Sequence, residues 1–210
     1  MTRIYALIAA AVMVTVLAVF WILGFGKTTM NDDDIFAACS ASATGAEIGG
    51  PFELIDETGN TVTETDVINQ PSLLYFGYTF CPDVCPLDNA RNAEAIEILE
   101  ERGTIVQPVF ISIDPKRDTP EVLRDFTDNL HPRMLGLTGT AEQVAAASRA
   151  YRTYYKAHEP EDGDEEFYLV DHSTQSYLVL PGHGFVEFFK RGDTPEVMAD
   201  RIQCFVEAAK

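Results

Sequence analysis

Basic residues are scarce in this chain of 210 residues: 15 Lys and Arg stand against 33 Asp and Glu, for a formal net charge of −18. That shortage excludes a nucleic-acid partner, since phosphate contacts need clustered Lys and Arg. Histidine and cysteine are rare too, four of each, so metal or thiol chemistry has few side chains to draw on. No Arg- and Ser-rich transit segment opens the chain, which argues against a mitochondrial address. Nor does a small-residue cleavage site closely follow the first apolar run, as it would in a secretory signal. "FAAC" at residues 36–39 faintly resembles a lipoprotein box, but Asp32, Asp33 and Asp34 separate it from that run.

The run itself, Ile4 to Phe25, carries no charge. As a helix rising ~1.5 Å per residue it spans roughly 33 Å, enough for a bilayer core of about 30 Å. An uncleaved transmembrane helix over residues 4–25 is expected, behind a cytoplasmic stub at residues 1–3. Arg3 and the α-amino group precede it, so the positive-inside rule puts the N-terminus in the cytoplasm. The rest would lie in the periplasm, held to a bacterial inner membrane by a single pass.

Residues 26–46 mix Thr, Asp, Ala, Ser and Gly without periodicity and suit a tether. From residue 47 to 210 the pattern is globular. "PFELIDETGNTVTETDV" reads as a hairpin around a Glu-Thr-Gly-Asn turn. "SLLYFGYTF" (72–80) is an apolar strand buried on both faces. A helix follows with Ala90, Ala93, Ile96 and Leu99 on its apolar stripe, stopping at Gly103. "TIVQPVFISID" (104–114) is the next strand. "DTPEV" occurs twice, at 118–122 and 193–197, each time as helix-start chemistry with Asp or Thr as cap and Pro in the first turn. "TAEQVAAASRAYRTYYK" (140–156) has helical spacing throughout. "HEPEDGDEEF" (158–167) reads as a solvated acidic loop. Two or three strands fill 166–192, turning at Ser173 and Pro181-Gly182. This order is that of an α/β, thioredoxin-like fold: a central mixed sheet flanked by helices.

Cys81 and Cys85 fall where the first long strand ends and its helix begins. Residues four apart share one helix face, roughly 5–6 Å apart at Cβ, and a helix N-terminus favours thiolate. Three readings stand open: a structural disulfide, a thiol–disulfide exchanger, or a metal site with one further ligand. A disulfide here would close a tiny loop and add little stability. A third ligand would have to be histidine. His131 and His158 read as exposed surface residues, and His183 belongs to a turn. His172 differs: it interrupts the strand pattern "YLVDHSTQSYLVL", in a loop that a thioredoxin-like sheet sets beside the cysteines.

Three segments together are similar to the Sco/SenC family of membrane-anchored copper proteins that assemble cytochrome c oxidase. They are Cys81-Pro82-Asp83-Val84-Cys85-Pro86, then Ser112-Ile113-Asp114-Pro115-Lys116-Arg117-Asp118-Thr119-Pro120, then Val170-Asp171-His172-Ser173. The resemblance covers roughly residues 47–208. It implies a copper metallochaperone whose ligands are Cys81, Cys85 and His172. Soft thiolates favour Cu(I), and an imidazole lets the site tolerate Cu(II). The implied acceptor is the CuA centre of cytochrome c oxidase subunit II, with other periplasmic copper carriers or thiol reductants as further partners. The alternative is a periplasmic thiol–disulfide oxidoreductase that reduces the cysteines of that centre, in which case Cys81 and Cys85 form a redox-active dithiol. A peroxiredoxin would place Thr three residues before its cysteine, where this chain has Tyr78. Asp171 is expected either to orient His172 or to be a solvated carboxylate, and Asp83 either to cap the helix or to approach the metal. "DPKRDTP" is expected to shape a loop near the site. Cys39 and Cys204 stand outside the motif set, either paired with each other or with Cys204 as a core thiol.

Overall fold

A computed structural model describes residues 5, 12–15, 19, 35–39, 48–160 and 167–210. The chain divides into two units, residues 1–35 and 36–210. In the first, residues 5, 12–15 and 19 are helical. The rest of the anchor read over 4–25 lies outside the described residues, as does most of the tether. Among the described residues no helix is long and apolar enough to cross a membrane.

The second unit opens with the expected hairpin. β1 (Glu53–Asp56) pairs antiparallel with β2 (Thr61–Thr63). Asp56 closes the turn, its carboxylate accepting from the backbone N–H of Thr58 and of Asn60, both at 2.9 Å. Gly59 takes the left-handed conformation there, φ +86°. A single turn of helix, α1 (Glu64–Val67), leads into β3 (Ser72–Gly77), all six residues of which are buried. Helix α2 (Val84–Glu101) then crosses to β4 (Gln107–Ser112). Next come α3 (Pro120–Asp128), β5 (Leu135–Thr138), α4 (Ala141–Ala150) and β6 (Tyr155–Ala157). Beyond the acidic segment lie β7 (Val170–His172), β8 (Ser176–Leu180), β9 (Gly184–Phe189) and α5 (Pro195–Ala208).

Seven strands form one sheet in the order β2-β1-β5-β4-β3-β8-β9, while β6 and β7 make a separate two-stranded ribbon. β3, β4 and β5 run parallel and the remaining pairs antiparallel. The sheet is mixed, as the sequence indicates. Its two faces carry separate cores. Leu73, Leu178 and Leu180 pack with Ala95, Ile96 and Leu99 of α2 and with Met198, Ile202 and Phe205 of α5. Leu74, Tyr177 and Val179 pack with Leu123 of α3 and Val144 and Ala147 of α4. This alternation follows from the two-residue period of a strand. Thr119 and Thr194 cap α3 and α5, each accepting from a backbone N–H three residues on, with proline behind it.

Three expectations need correcting. The helical spacing over 140–156 ends at Ala150, because Tyr155–Ala157 pair instead with Val170–His172. Arg152 turns the chain at φ +53°. Ala90 is exposed, and the α2 stripe toward its N-terminus is instead polar: Asp88, Asn89 and Asn92 are buried. His131 is not a surface residue. It is 3% exposed, with Nε2 3.2 Å from Glu100 and Nδ1 accepting from the Arg133 N–H at 3.1 Å.

Cys39 and Cys204 are joined in a disulfide. Beside it Phe36 packs on Phe205 and His183, with ring centroids 5.3 and 5.2 Å away. The bond joins positions 165 residues apart, a long loop whose closure restricts the unfolded chain. Replacing both cysteines by serine should therefore cost about 2–4 kcal/mol in urea unfolding of the full chain. An unchanged midpoint would show that this crosslink adds no stability.

Candidate metal centre

β3 ends at Gly77, and the ensuing loop Tyr78-Thr79-Phe80 delivers Cys81 to the N-terminus of α2. Cys81 is 5% and Cys85 0% exposed, and both are free thiols. Cys85 lies in the first turn of α2, where backbone N–H groups have no partner within the helix. Its N–H points instead at Cys81 Sγ, 3.3 Å away. Pro86, next in line, has no N–H to leave unpaired. The close approach also depends on Gly77. A Cβ there would lie 3.0 Å from Cys85 Sγ, 2.8 Å from Tyr75 Cε1 and 3.1 Å from Phe110 Cε2, so those neighbours would have to shift.

His172 comes from β7, 87 residues beyond Cys85, yet its Nε2 is 3.2 Å from Cys85 Sγ. Its Nδ1 lies 2.7 Å from the Ser173 carbonyl. A carbonyl only accepts, so an Nδ1 proton points there and Nε2 is the ring nitrogen left facing the sulfurs. Tyr75 and Tyr78 meet the ring nearly edge-on, at 86° and 87°, which fixes its plane. Ligating atoms of Cys81, Cys85 and His172 all fall within 4.8 Å of one another, and among the described residues no carboxylate joins the group. Two sulfurs and one imidazole nitrogen suit a soft, thiophilic ion and suit a hard oxygen-seeking one poorly.

The two sulfurs share one proton. The Cys85 thiol hydrogen-bonds Cys81, and this holds the Cys81 thiol down at about 3; His172 and the N–H groups of Cys85 and Asp83 add to the effect. The same bond, together with burial, pushes Cys85 well above the ordinary thiol range. Burial likewise raises the Tyr78 hydroxyl to about 12; that oxygen accepts from the Val170 N–H at 3.2 Å.

Residues 40–207 match the SCO1/SenC family model. The chain belongs to that family. Protein SenC of Rhodobacter capsulatus is 56% identical over 180 residues, covering 85% of this chain and 80% of that protein. The mitochondrial SCO1 homolog 1 of Arabidopsis thaliana is 41% identical over 174 residues; the match takes in 82% of this chain but 51% of the relative. The crystal structure of Arabidopsis ScoI with copper bound superposes with a TM-score of 0.70 at 41% identity, over 76% of this chain and 99% of that one.

Against this SCO1/SenC background the secondary expectations sort cleanly. Asp171 does not orient His172; it is 60% exposed at its side chain and pairs with His158 at 2.9 Å. The Ser173 carbonyl does that work. Asp83 occupies the cap position of α2 but its side chain makes no cap hydrogen bond, and the carboxylate is exposed. His158 and His183 are exposed, as read. Sequence reasoning missed a buried polar network behind the site. Tyr75 Oη donates to Asp88 at 2.9 Å, Asp88 accepts from Arg191 at 3.2 Å, and Ser176 donates to Asn92 at 3.0 Å. Asp88 and Asn92, four apart on the helix that carries Cys85, were the available signal.

Two outcomes test this geometry in the SCO1/SenC chain. A thiol held near 3 is thiolate throughout the neutral range, so alkylation of Cys81 by iodoacetamide should be flat between pH 5 and 8 while Cys85 stays inert. A rate climbing roughly tenfold per pH unit toward the ordinary thiol value of ~8.5 would contradict the assignment. Gly77→Ala should cost about 1–3 kcal/mol by overpacking, read by urea unfolding, and should displace the Cys85 sulfur.

Proposed function

We propose that this chain is a copper metallochaperone that carries one copper ion on Cys81, Cys85 and His172 and delivers it to the CuA centre of cytochrome c oxidase subunit II. The observation that carries the reading is the 3.2 Å approach of His172 Nε2 to Cys85 Sγ beside a second free thiol. Such a trio presents two soft donors to Cu(I) and keeps a nitrogen for Cu(II). Three ligands leave the ion open to attack by the acceptor's own side chains. Loading releases the proton shared by the sulfurs, since thiolate is the ligand. Membership in the SCO1/SenC family and the copper-bound Arabidopsis relative support the choice of metal.

The apolar run over residues 4–25 supports a single-pass anchor in a bacterial inner membrane, with the domain in the periplasm. There other copper carriers or thiol reductants would load or reset it. Large apolar side chains are exposed on the segments that carry the ligands, Phe80 at 48%, Leu87 at 61% and Leu169 at 56%, as is Tyr154 (58%) beside the strand paired with β7. Such apolar exposure suits transient docking of a partner protein over the buried sulfurs.

One observation favours a second reading. Cys81 is a stabilised thiolate with a second thiol in its own turn, the equipment of a thiol–disulfide oxidoreductase acting on the cysteines of the CuA site.

Titrating reduced full chain with Cu(I) beside a disulfide-reduction assay separates the two. Wild type should bind one equivalent, and either Cys81→Ser or Cys85→Ser should abolish tight binding. His172→Ala should weaken binding by more than the roughly 10–100-fold that loss of an outer hydrogen-bond partner costs. If His172→Ala leaves affinity unchanged while both cysteine variants lose reductase activity, the oxidoreductase reading replaces the carrier.

A further inference from the structure

The segment Ser112–Thr119 supplies none of the three candidate ligands, yet its side chains grip the chain on both arms that do. Asp118 is 0% exposed. Its carboxylate accepts from the Thr79 N–H at 3.1 Å, the Thr79 hydroxyl at 2.6 Å and the Ser112 hydroxyl at 2.6 Å. Thr79 is two residues before Cys81. Four residues earlier, Asp114, 5% exposed, accepts from Tyr168 Oη at 2.6 Å and pairs with Arg117 Nε. Tyr168 is four residues before His172. Between the two arms lies the Arg117 guanidinium, 3.6 Å over the Tyr168 ring, 4.9 Å from Phe80 and 5.6 Å from Tyr78. Phe80 and Tyr78 flank Thr79, and Tyr78 in turn accepts from Val170 on the histidine strand.

We infer that Ser112–Thr119 is a clamp that presets the spacing between the cysteine arm and the histidine arm, with Asp118 positioning Cys81 through Thr79 and the Asp114–Arg117 pair positioning His172 through Tyr168. This rests on the ligand set proposed above and adds to it residues that touch no metal. The chemistry requires these residue types. An ionised carboxylate accepts three hydrogen bonds; an amide in its place keeps one accepting oxygen and turns an NH2 toward donors. A guanidinium pairs with a carboxylate along its edge while stacking its face on an aromatic ring, which the ammonium of lysine does not reproduce. The clamp also explains how β7 can supply a ligand although its ribbon lies outside the seven-stranded sheet. The sheet's own hydrogen bonds do not hold it in place. Ordering the arms before the ion arrives removes a cost that binding would otherwise bear.

The test compares full-length wild type with Asp118→Asn, Thr79→Val, Arg117→Lys and Arg117→Ala. Each is read three ways: urea unfolding, Cu(I) dissociation constant against a competing chelator, and two metal-free signals. Those signals are the alkylation rate of Cys81 and the 15N resonance of His172 Nε2. Asp118→Asn and Thr79→Val should change Cys81 alkylation several-fold and leave the His172 resonance in place. Arg117→Ala should shift the His172 resonance, and through Phe80 and Tyr78 should also change Cys81 alkylation, with Arg117→Lys recovering only part. In all four the copper dissociation constant should rise, by about 10–100-fold in Asp118→Asn and Arg117→Ala, the range expected for groups that orient metal ligands. Variants that unfold at lower urea while both metal-free signals and the dissociation constant stay within twofold of wild type would make the loop merely structural and overturn the proposal. The metal-free signals keep the two ideas separate. If wild type itself bound no copper, the carrier reading would fall while alkylation and resonance still judged the clamp.

Discussion

Strand β3 must be extended, apolar on both faces and then stop at a residue without a side chain. Its six residues lie between β4 and β8 and are buried, so no polar group can be tolerated along it without a partner. Where it ends, Gly77 lets the Cys85 sulfur settle against the strand. Everything chemical follows from that arrest. The chain leaves the sheet for the six residues 78–83, continues as a helix, and aims the first N–H groups of that helix at a sulfur.

A buried thiolate is costly unless its charge is met. Here the Cys85 thiol, the N–H groups of Cys85 and Asp83, and His172 all converge on Cys81. The stabilisation comes from hydrogen bonds and the dipole of the helix end. That leaves the charge available for a cation and keeps the proton on Cys85 as the one to be displaced. The chain's net charge of −18 would favour approach of cations and of partners with basic patches.

In the other core cluster from Cys81 and Cys85, the Cys39–Cys204 bond secures the segment around Phe36 to α5. The Asp114–Arg117–Asp118 cluster secures the loops around the site. Both act by reducing the number of arrangements open to the chain, one in the unfolded ensemble and one in the native state. Neither contributes an atom to the candidate metal centre.

Much of this was legible locally. The paired "DTPEV" segments announce two helix starts, and Thr119 and Thr194 cap them; the Asp56-to-Asn60 turn announces a hairpin; and an apolar run broken by Cys-Pro marks a strand that gives way to a helix. His172 stands out because it interrupts an apolar strand pattern. Local pattern failed wherever a partner came from elsewhere in the chain. Tyr155–Ala157 have helical spacing but pair with β7. His131 looks like a surface residue but is buried against Glu100. Asp171 looks like the partner of His172 but faces the opposite way, toward His158, because adjacent strand residues point to opposite faces. The sequence by itself determined which side chains own the donor atoms and where strand, turn and helix begin. Only the tertiary structure decided that the imidazole reaches the sulfurs, which carbonyl holds its proton, and which loop braces the two arms. Period and capping are properties of neighbours within a few residues, whereas the long-range contacts among these join positions up to 92 residues apart and exist only once the strands have found their register.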